Sequence, residues 1–590
     1  MATRLPKTDI VIVGAGWTGL TAAYELANAG QRCVVLERGA MRHDAPDFQA
    51  PQMHDELRYG QRHELMIEPS NLTLTFRNNQ DETALPMRRL GSFLPGTGVG
   101  GAGVHWNGQL WRPLPSDLTM RTHYEEKYGG DAIPDDLQVQ DWGVTYDELE
   151  PHLDFFEKVA GCAGRAGNLN DEIREAGNPF EGPRSEEYPT PPMKQHYAGA
   201  MFADAAREVG THPFIMPSAN VTVHYENPYG AQLHPCTYCG FCERFGCGYF
   251  AKADPIICVL DRIWGHENFE LRTHANVTRV NLADDGQTAT GVTYVASDGR
   301  TYEQPADMVL LCAYGLWNVH LMLLSGIGEP YDPSTGEGVV GRNYAYQTMS
   351  SISVFYDGRY NFNPFMGAGA LATVVDDYNG DNFDHSELDF VGGGYIACLQ
   401  TNGRPIGYHP TPEGTPGWGL AWKRAVRRNY LSTANLVIHG SSMATRGNYL
   451  DLDPTYTDPY GRPLLRMTFD FPDNDRRMSR HVTDRAEEIA RAMGGSSYSV
   501  SRSADDNYSI VPYQTTHNTG GAVMGSDPST SAVNRYCQAW GQHNVFVFGA
   551  CLFPQNLGYN PTGPLMGLAY WTLDRIKRDY LNDPRPLMGR

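Results

Sequence analysis

Three features are missing from this sequence of 590 residues, and each absence excludes a class of protein. No stretch of about 18 apolar residues occurs, which is the length that a membrane-spanning helix needs. The apolar run at residues 308–317 has only ten residues and contains a glycine. The first residues lack the apolar core of a signal peptide. From these absences alone we expect a soluble cytoplasmic protein with no transmembrane segment of its own.

Positive charge is also scarce in the chain. The 47 Lys and Arg residues are outnumbered by 68 Asp and Glu residues, which gives a net charge of −21. Because nucleic acids and anionic lipids attract clustered cations, we expect neither as a direct partner. An acidic substrate would have to meet a locally basic pocket. The chain also has no C-x-x-C-H motif, so any haem c must lie on another subunit.

The beginning of the chain predicts a dinucleotide-binding unit. Residues 9–13 are typical of a buried parallel strand, a helix is expected over 20–29, and 33–37 form a second strand. Between the first strand and the helix stand the glycines of a G-x-G-x-x-G motif, Gly14, Gly16 and Gly19. They allow a tight turn that brings a pyrophosphate to the helix N-terminus, and Glu37 is placed to bind ribose hydroxyls. This unit does not distinguish FAD from NAD.

A second glycine-rich stretch, residues 96–108, favours FAD. So many glycines suit a backbone that packs against a flat ligand, here an isoalloxazine ring. A mobile surface loop is the alternative, but Val104 and Trp106 within the stretch favour packing. The residues expected to contact the flavin are Gly100, Gly101, His105 and Asn107.

Four of the eleven cysteines lie within twelve residues, in the spacing C-x2-C-x2-C-x4-C. They are Cys236, Cys239, Cys242 and Cys247. Thiolates so close in sequence can enclose one soft-metal centre, and we favour an iron–sulfur cluster. Structural zinc is an alternative, although zinc sites usually consist of two C-x2-C pairs with a longer spacer. Disulfides are a third interpretation, made awkward by the compact spacing.

The remaining pattern predicts an α/β fold with two interleaved domains. Residues 308–313 read as another buried strand, whereas 346–509 contain alternating strands typical of an antiparallel sheet, with an amphipathic helix over 473–493 on one face. We therefore expect a Rossmann-like FAD-binding domain and a substrate domain whose sheet is covered by helices. The predicted FAD-binding segments are 1–115, 205–345 and 510–590, with the iron–sulfur segment at 232–258, and the predicted substrate-domain segments are 116–204 and 346–509.

The ordered motifs resemble those of the glucose–methanol–choline (GMC) oxidoreductase family. They are most similar to the flavoprotein subunits of bacterial membrane-associated gluconate 2-dehydrogenase, fructose dehydrogenase and FAD-dependent glucose dehydrogenase. The resemblance covers nearly the whole chain and is specific for the family rather than for one substrate. The segments that carry it are 14–19, 98–108, 340–343, 516–521 and 558–562.

This resemblance implies that His517 and Asn560 form the catalytic pair. Oxidation of an alcohol by a flavin moves a hydride to N5 while a base takes the hydroxyl proton, and a histidine suits that base role. Asn560 would hold the hydroxyl or the developing oxyanion, with Asn556 and His543 as nearby competitors. The helix that begins near Thr562 would direct its N-terminus at the flavin pyrimidine.

The resemblance also implies further features of the cofactors. His105 matches a histidine that is bonded covalently to the flavin 8α methyl in some relatives, and the alternative is a histidine packed beside the dimethylbenzene ring. A 3Fe–4S cluster would be held by Cys236, Cys242 and Cys247. The last interval of the run is one residue longer than in the glucose and fructose members. Cys239 therefore either replaces one ligand or completes a four-ligand cluster.

The function implied is a dehydrogenase subunit that oxidises a sugar acid, first of all D-gluconate to 2-keto-D-gluconate, with a pocket arginine or lysine for the carboxylate. Sorbitol, fructose, glucose and 2-ketogluconate are alternative substrates. Electrons would pass through the cluster to a multihaem cytochrome c subunit. Export with a small signal-bearing subunit to the periplasmic face of the inner membrane would then replace the cytoplasmic expectation. Two other classes are an O2-using oxidase with structural zinc and a flavin subunit that only relays electrons.

Overall fold

The computed structural model describes residues 2–43, 47–48, 55–70, 72–91, 93–401 and 403–587. Its first sheet has eight strands, and the two at its centre, Thr8–Val13 and Thr301–Leu311, run parallel to each other. The other six are Thr3–Arg4, Cys33–Leu36, Phe269–Arg272, Asn276–Leu282, Ala289–Val295 and Val545–Val547. This sheet confirms the Rossmann-like part of the predicted fold.

The first strand–turn–helix unit explains why glycine is required at two positions. Gly14 has a φ of +102°, and a Cβ atom there would lie 2.5 Å from the carbonyl oxygen of Cys312. A Cβ on Gly19 would lie 1.9 Å from the Gly14 carbonyl oxygen. Side chains at these positions would push the helix Trp17–Asn28 away from the sheet. The helix begins three residues earlier than the sequence pattern predicts.

A second sheet is antiparallel throughout and confirms the predicted substrate-domain architecture. Its strands are Phe214–Ile215, Thr348–Phe355, Ala372–Val375, Gly394–Leu399, Thr433–Gly440 and Ser497–Arg502. The helix Asp473–Ala492 buries Met478, Val482 and Ile489 in the same apolar cluster as Leu436 of this sheet. The amphipathic pattern arises because one face of the helix covers the sheet.

Smaller sheets join short strands from several segments of the chain. Four strands, Thr75–Arg77, Leu85–Pro86, Tyr449–Thr457 and Pro463–Thr468, form one sheet although they come from distant segments. Three two-stranded sheets pair Asn168–Leu169 with Glu172–Ile173, Tyr225–Glu226 with Gln232–Leu233, and Ala345–Tyr346 with Asn518–Thr519. The segment boundaries given above stay a prediction.

The chain also forms α-helices between the strands. In the described residues they are Trp17–Asn28, Pro115–Leu118, Met120–Tyr128, Tyr146–Ala160, Tyr197–Glu208, Asp261–Ile263, Gly315–Ser325, Gly419–Asn429, Asp473–Ala492 and Thr562–Arg575. None of the helices in these residues combines the length and apolarity needed to cross a bilayer.

A buried ion network ties one of these helices to the chain on both sides of it. Glu157 accepts hydrogen bonds from Arg112 Nε at 3.0 Å and Arg112 Nη2 at 2.8 Å, and it also pairs with Arg184. Arg112 Nη1 donates to Glu150 at 2.8 Å. The side chains of Arg112, Glu157 and Arg184 are at most 3% exposed. Although burial alone would raise the pKa of Glu157, the two guanidinium groups hold it below its usual value.

Candidate functional site

A long cavity opens at the carboxyl ends of the parallel strands, where α/β sheets bind dinucleotides. Nine of the residues predicted from sequence line it: Gly14, Gly16, Glu37, Gly101, His105, Asn107, His517, Asn560 and Thr562. Gly19 and Gly100 lie behind this lining. Gly100 donates its N–H to the Ala15 carbonyl at 2.8 Å, so it positions the glycine-rich stretch against the first turn.

Glu37 holds the two glycine-rich segments together at one end of the cavity. Its carboxylate accepts backbone N–H bonds from Ala15 at 3.1 Å, Gly39 at 2.8 Å and Gly98 at 3.2 Å. An ionised carboxylate offers about four acceptor positions, so capacity is left for a ligand hydroxyl. The side chain therefore both orders this end of the site and fits the ribose role predicted for it.

His105 lines the cavity and fits a flavin neighbour. Its Nε2 atom is buried and has no hydrogen-bond partner in the structure. Burial, together with the charges of Lys252 and Arg42, lowers the pKa of His105 to about 3. The ring is therefore neutral near pH 7, which leaves a nitrogen lone pair available. An unpartnered buried nitrogen in a cavity of this shape is what a flat aromatic cofactor would cover.

His517 and Asn560 meet at the other end of the cavity. Asn560 Nδ2 donates to His517 Nε2 at 3.1 Å, although the two residues stand on separate segments. Tyr395 fixes the opposite side of the asparagine amide, because its hydroxyl lies 2.9 Å from Asn560 Oδ1. The same hydroxyl lies 2.7 Å from His439 Nδ1. The structure thus brings together the two residues predicted as the catalytic pair.

Gln347 determines which nitrogen of His517 carries the proton. Its Nε2 atom is committed to donation, because it faces the carbonyl oxygens of residues 557, 558 and 559 at 3.2, 2.8 and 3.2 Å. Its Oε1 atom must then accept the hydrogen bond that joins it to His517 Nδ1. With the proton held on Nδ1, Nε2 of His517 is the basic atom and faces the cavity.

The pKa of His517 lies well below its usual value, first because the ring is buried and second because His439 lies nearby. The rings of His439 and His517 are 5.9 Å apart, and burial lowers the pKa of His439 to about 4. A base with a depressed pKa stays unprotonated as the pH falls below neutrality. Nothing in the sequence pattern marks Gln347, Tyr395 or His439, since each acts on a residue far away in the chain.

The two competitors for the second catalytic position have other roles. Asn556 Nδ2 donates to the backbone carbonyl of His517 at 2.7 Å, so it orients the main chain of that residue. His543 lies outside the cavity lining, and its Nδ1 atom contacts Tyr580 Oη at 3.3 Å.

Replacing Gln347 by leucine is expected to lower kcat/KM by roughly 10- to 150-fold, the value of a hydrogen bond of 1.5–3 kcal/mol to a charged group. Its loss removes the acceptor that stabilises the imidazolium, so the pKa of His517 falls further. The acid limb of the kcat/KM profile, which lies below pH 6.5 in the parent enzyme, should therefore move to still lower pH. Gln542→Leu, at a buried glutamine that binds Gly286 instead, is the control. An acid limb that stays in place would contradict this role.

A second cavity adjoins the first and shares Asn107, Gln109, Glu243, His439 and Tyr513 with it. Further along its wall, Arg404 Nη2 lies 3.1 Å from Glu243 Oε1. Burial alone would raise the pKa of Glu243, but Arg404 and Arg244 hold it below its usual value. An arginine thus lies beside the site, where it is paired with Glu243, and the cation expected for a carboxylate substrate stays a prediction.

The four clustered cysteines lie next to the second glycine-rich stretch (residues 96–108, the flavin loop), and none of the eleven cysteines forms a disulfide. Hydrogen-bond donors act on all four sulfurs, and for Cys239 they include the backbone of Phe241 and the side chain of Thr237. Asn220 Nδ2 donates to Cys242 Sγ at 3.7 Å, and backbone N–H groups donate at 3.4 Å to Cys236 Sγ and Cys247 Sγ. Within the described residues no three His, Cys, Asp or Glu side chains stand ready to hold a single metal ion. The donor chemistry suits a cluster ligated by sulfur, and the cluster itself stays a prediction.

Comparisons with known proteins match this chain over its full length. The GMC oxidoreductase family models match residues 201–349 and 444–569, and an FAD dependent oxidoreductase model matches residues 9–119. The gluconate 2-dehydrogenase flavoprotein of Pantoea cypripedii is 48% identical over 597 aligned residues, covering 100% of this chain and 96% of that protein. The fructose dehydrogenase large subunit of Gluconobacter japonicus is 22% identical, over 98% of this chain and 99% of that protein.

Solved structures show the same fold at low sequence identity. Pyridoxine 4-oxidase from Mesorbium loti superposes with a TM-score of 0.58 at 17% identity, over 96% of this chain and 99% of that chain. Formate oxidase of Aspergillus oryzae gives a TM-score of 0.60 at 13% identity, over 98% and 99% of the two chains.

Proposed function

The chain belongs to the GMC oxidoreductase family of FAD-dependent enzymes that act on alcohol groups, and from this premise we propose that it oxidises a sugar acid, D-gluconate, to 2-keto-D-gluconate. The observation that carries the proposal is the 48% identity, over the full length of this chain, to a gluconate 2-dehydrogenase flavoprotein. The geometry of the His517–Asn560 pair supports it, because this pair can take a proton from a hydroxyl held beside a flavin.

In the proposed reaction, bound FAD supplies the acceptor for a hydride from the carbinol carbon. His517 Nε2 takes the hydroxyl proton, and Gln347 stabilises the resulting imidazolium through Nδ1. Asn560 Nδ2 orients the substrate oxygen, since Tyr395 keeps its amide from rotating. The low pKa of His517 keeps Nε2 unprotonated before the substrate binds. Burial of the pair excludes water, which strengthens each of these interactions.

We also propose that Cys236, Cys242 and Cys247 hold a 3Fe–4S cluster, with Cys239 beside it. The hydrogen bonds directed at the sulfurs of Cys236, Cys242 and Cys247 support a role as ligands, because such contacts stabilise ligated thiolates. Electrons would then leave toward a multihaem cytochrome c subunit. In this proposal the protein travels with a small signal-bearing subunit to the periplasmic face of the inner membrane, which detection in a periplasmic or membrane fraction would test.

His105 Nε2 is the atom proposed to bond covalently to the flavin 8α carbon; one C–H bond of the methyl group breaks, its hydrogen leaves as a proton, and the flavin ring takes up the electron pair. Its position in the cavity lining and its lack of a partner support this bond. Protein that stays yellow after acid precipitation would bear it out, whereas complete release of flavin would contradict it.

The substrate and the cluster can be tested on one preparation. We expect purified protein to reduce an artificial electron acceptor with D-gluconate faster than with sorbitol, fructose, glucose or 2-ketogluconate, and to contain iron with acid-labile sulfide. Failure with all sugar acids but turnover of neutral polyols would contradict the substrate assignment. Zinc without iron would contradict the electron route and support the oxidase alternative.

A further inference from the structure

Lys252 joins the flavin loop to the cysteine run through one buried ammonium group. Its side chain is completely buried, and Nζ, with three N–H donors, lies within hydrogen-bond distance of four backbone carbonyls. Two belong to the flavin loop, Val104 O at 3.1 Å and Trp106 O at 2.7 Å. The other two belong to the cysteine run, Cys242 O at 2.9 Å and Phe245 O at 2.8 Å. One side chain therefore spans the space between the flavin site and the cysteines.

The four carbonyls favour the charged form of Lys252 over the neutral amine. A neutral amine would direct its lone pair at one of these oxygens, whereas an ammonium has only donors. A buried charge without acceptors would be very costly, and here the carbonyl dipoles satisfy it. The result is a fixed positive charge in a medium that screens it weakly.

The contacts of Lys252 also flank a direct hydrogen bond between the flavin loop and the cysteine run. The backbone N–H of Arg244 donates to the His105 carbonyl at 2.7 Å, so one hydrogen bond links the flavin-facing histidine to the cysteine run. Lys252 contacts the residues on either side of His105, and it contacts Cys242 and Phe245 on either side of the Arg244 end. These contacts hold the flavin loop and the cysteine run at a fixed distance from each other.

We propose that Lys252 sets the driving force for electron transfer from the flavin to the cysteine cluster. Its fixed charge stabilises the electron that arrives on the cluster and so raises the midpoint potential of the cluster. In each transfer one electron leaves the reduced flavin and one reaches the cluster, while Lys252 exchanges neither a proton nor an electron. This inference rests on the iron–sulfur cluster of the proposed function.

Lys252→Met and Lys252→Gln in the holoenzyme test the inference through a redox titration of the cluster, followed by electron paramagnetic resonance. The expected result is a lower midpoint potential in both variants, by at least the 59 mV that equals a tenfold change for one electron. A glutamine side chain removes the positive charge but keeps N–H donors for some of the four carbonyls. A shift of the midpoint potential in both variants therefore assigns the effect to the charge. If the methionine variant assembles no cluster, the glutamine variant still tests the inference.

Lys194→Met is the matched control. Lys194 is exposed, and its Nζ lies 5.6 Å from the ring centroid of Tyr238, within the same cysteine run. Solvent screens its charge, so no shift is expected. Unchanged potentials in both Lys252 variants with full iron content would overturn this inference alone. A wild-type protein without iron would overturn it together with the proposed electron route.

Discussion

Replacing His517 by alanine is expected to lower kcat by about 10²- to 10⁴-fold, the contribution of a positioned general base. The change removes Nε2, the atom that Asn560 faces at 3.1 Å. We expect KM to change less than kcat, because the proton is taken in the reacting state rather than in the bound ground state. The measurement is steady-state turnover of D-gluconate with an artificial acceptor, normalised to flavin content.

His543→Ala supplies the control, since His543 lies outside the cavity lining and contacts Tyr580. Its kcat should equal that of the parent enzyme. Turnover that is unchanged in His517→Ala as well would contradict the base role. It would leave the interpretation in which the chain only relays electrons within a complex.

Replacing Glu157 by alanine is expected to lower the free energy of unfolding by about 3–5 kcal/mol, the cost of removing one partner from a buried ion pair. Arg112 and Arg184 would then be buried without the carboxylate that both contact. The loss should appear as a lower midpoint of thermal unfolding at a fixed flavin concentration, since bound cofactor shifts the apparent stability.

Glu186→Ala provides the comparison for this second prediction. Glu186 pairs with Lys158 at 2.8 Å, but its side chain is 63% exposed. A surface pair of this kind contributes about 0–1 kcal/mol, so the unfolding midpoint should hardly move. If Glu157→Ala and Glu186→Ala lowered the unfolding midpoint equally, burial would not explain the stability that the ion network provides.

The pH dependence of this ion network follows from the depressed pKa of Glu157. The stabilisation is fully present above about pH 4.3, the ordinary glutamate pKa, and is lost as the pH falls through the lower pKa of the folded state. The stability difference between the parent and Glu157→Ala should therefore shrink in acid.

Local signals made the first part of the fold predictable from sequence. The alternation of a buried strand, a glycine turn and a helix is contained within residues 8–28, and the structure shows it there. The helix Asp473–Ala492 was likewise predictable, because its apolar spacing reflects one covered face. The cavity lining contains Gly14, Gly16 and Gly101 of the predicted glycines, because the spacing of the glycines determines the turn.

Long-range contacts were not predictable in the same way. Gln347 stands 170 residues before its partner His517, and no local pattern marks such a pair. Lys252 is one of 47 Lys and Arg residues, and only its four carbonyl partners distinguish it. The role of Cys239 was left open by the spacing. No side-chain N–H of Asn220 reaches its sulfur among the contacts described, in contrast to Cys236 and Cys242.

Gln347 occupies the single position between the strand Ala345–Tyr346, which pairs with residues 518–519, and the strand Thr348–Phe355 of the antiparallel sheet. It therefore adjoins the antiparallel sheet while it sets the proton position on His517, which precedes the strand Asn518–Thr519. Anyone who exchanges residues 348–509 with those of a relative to change substrate range should place the upstream junction after Gln347. A chimera that loses this glutamine would inherit a new specificity together with a misoriented base.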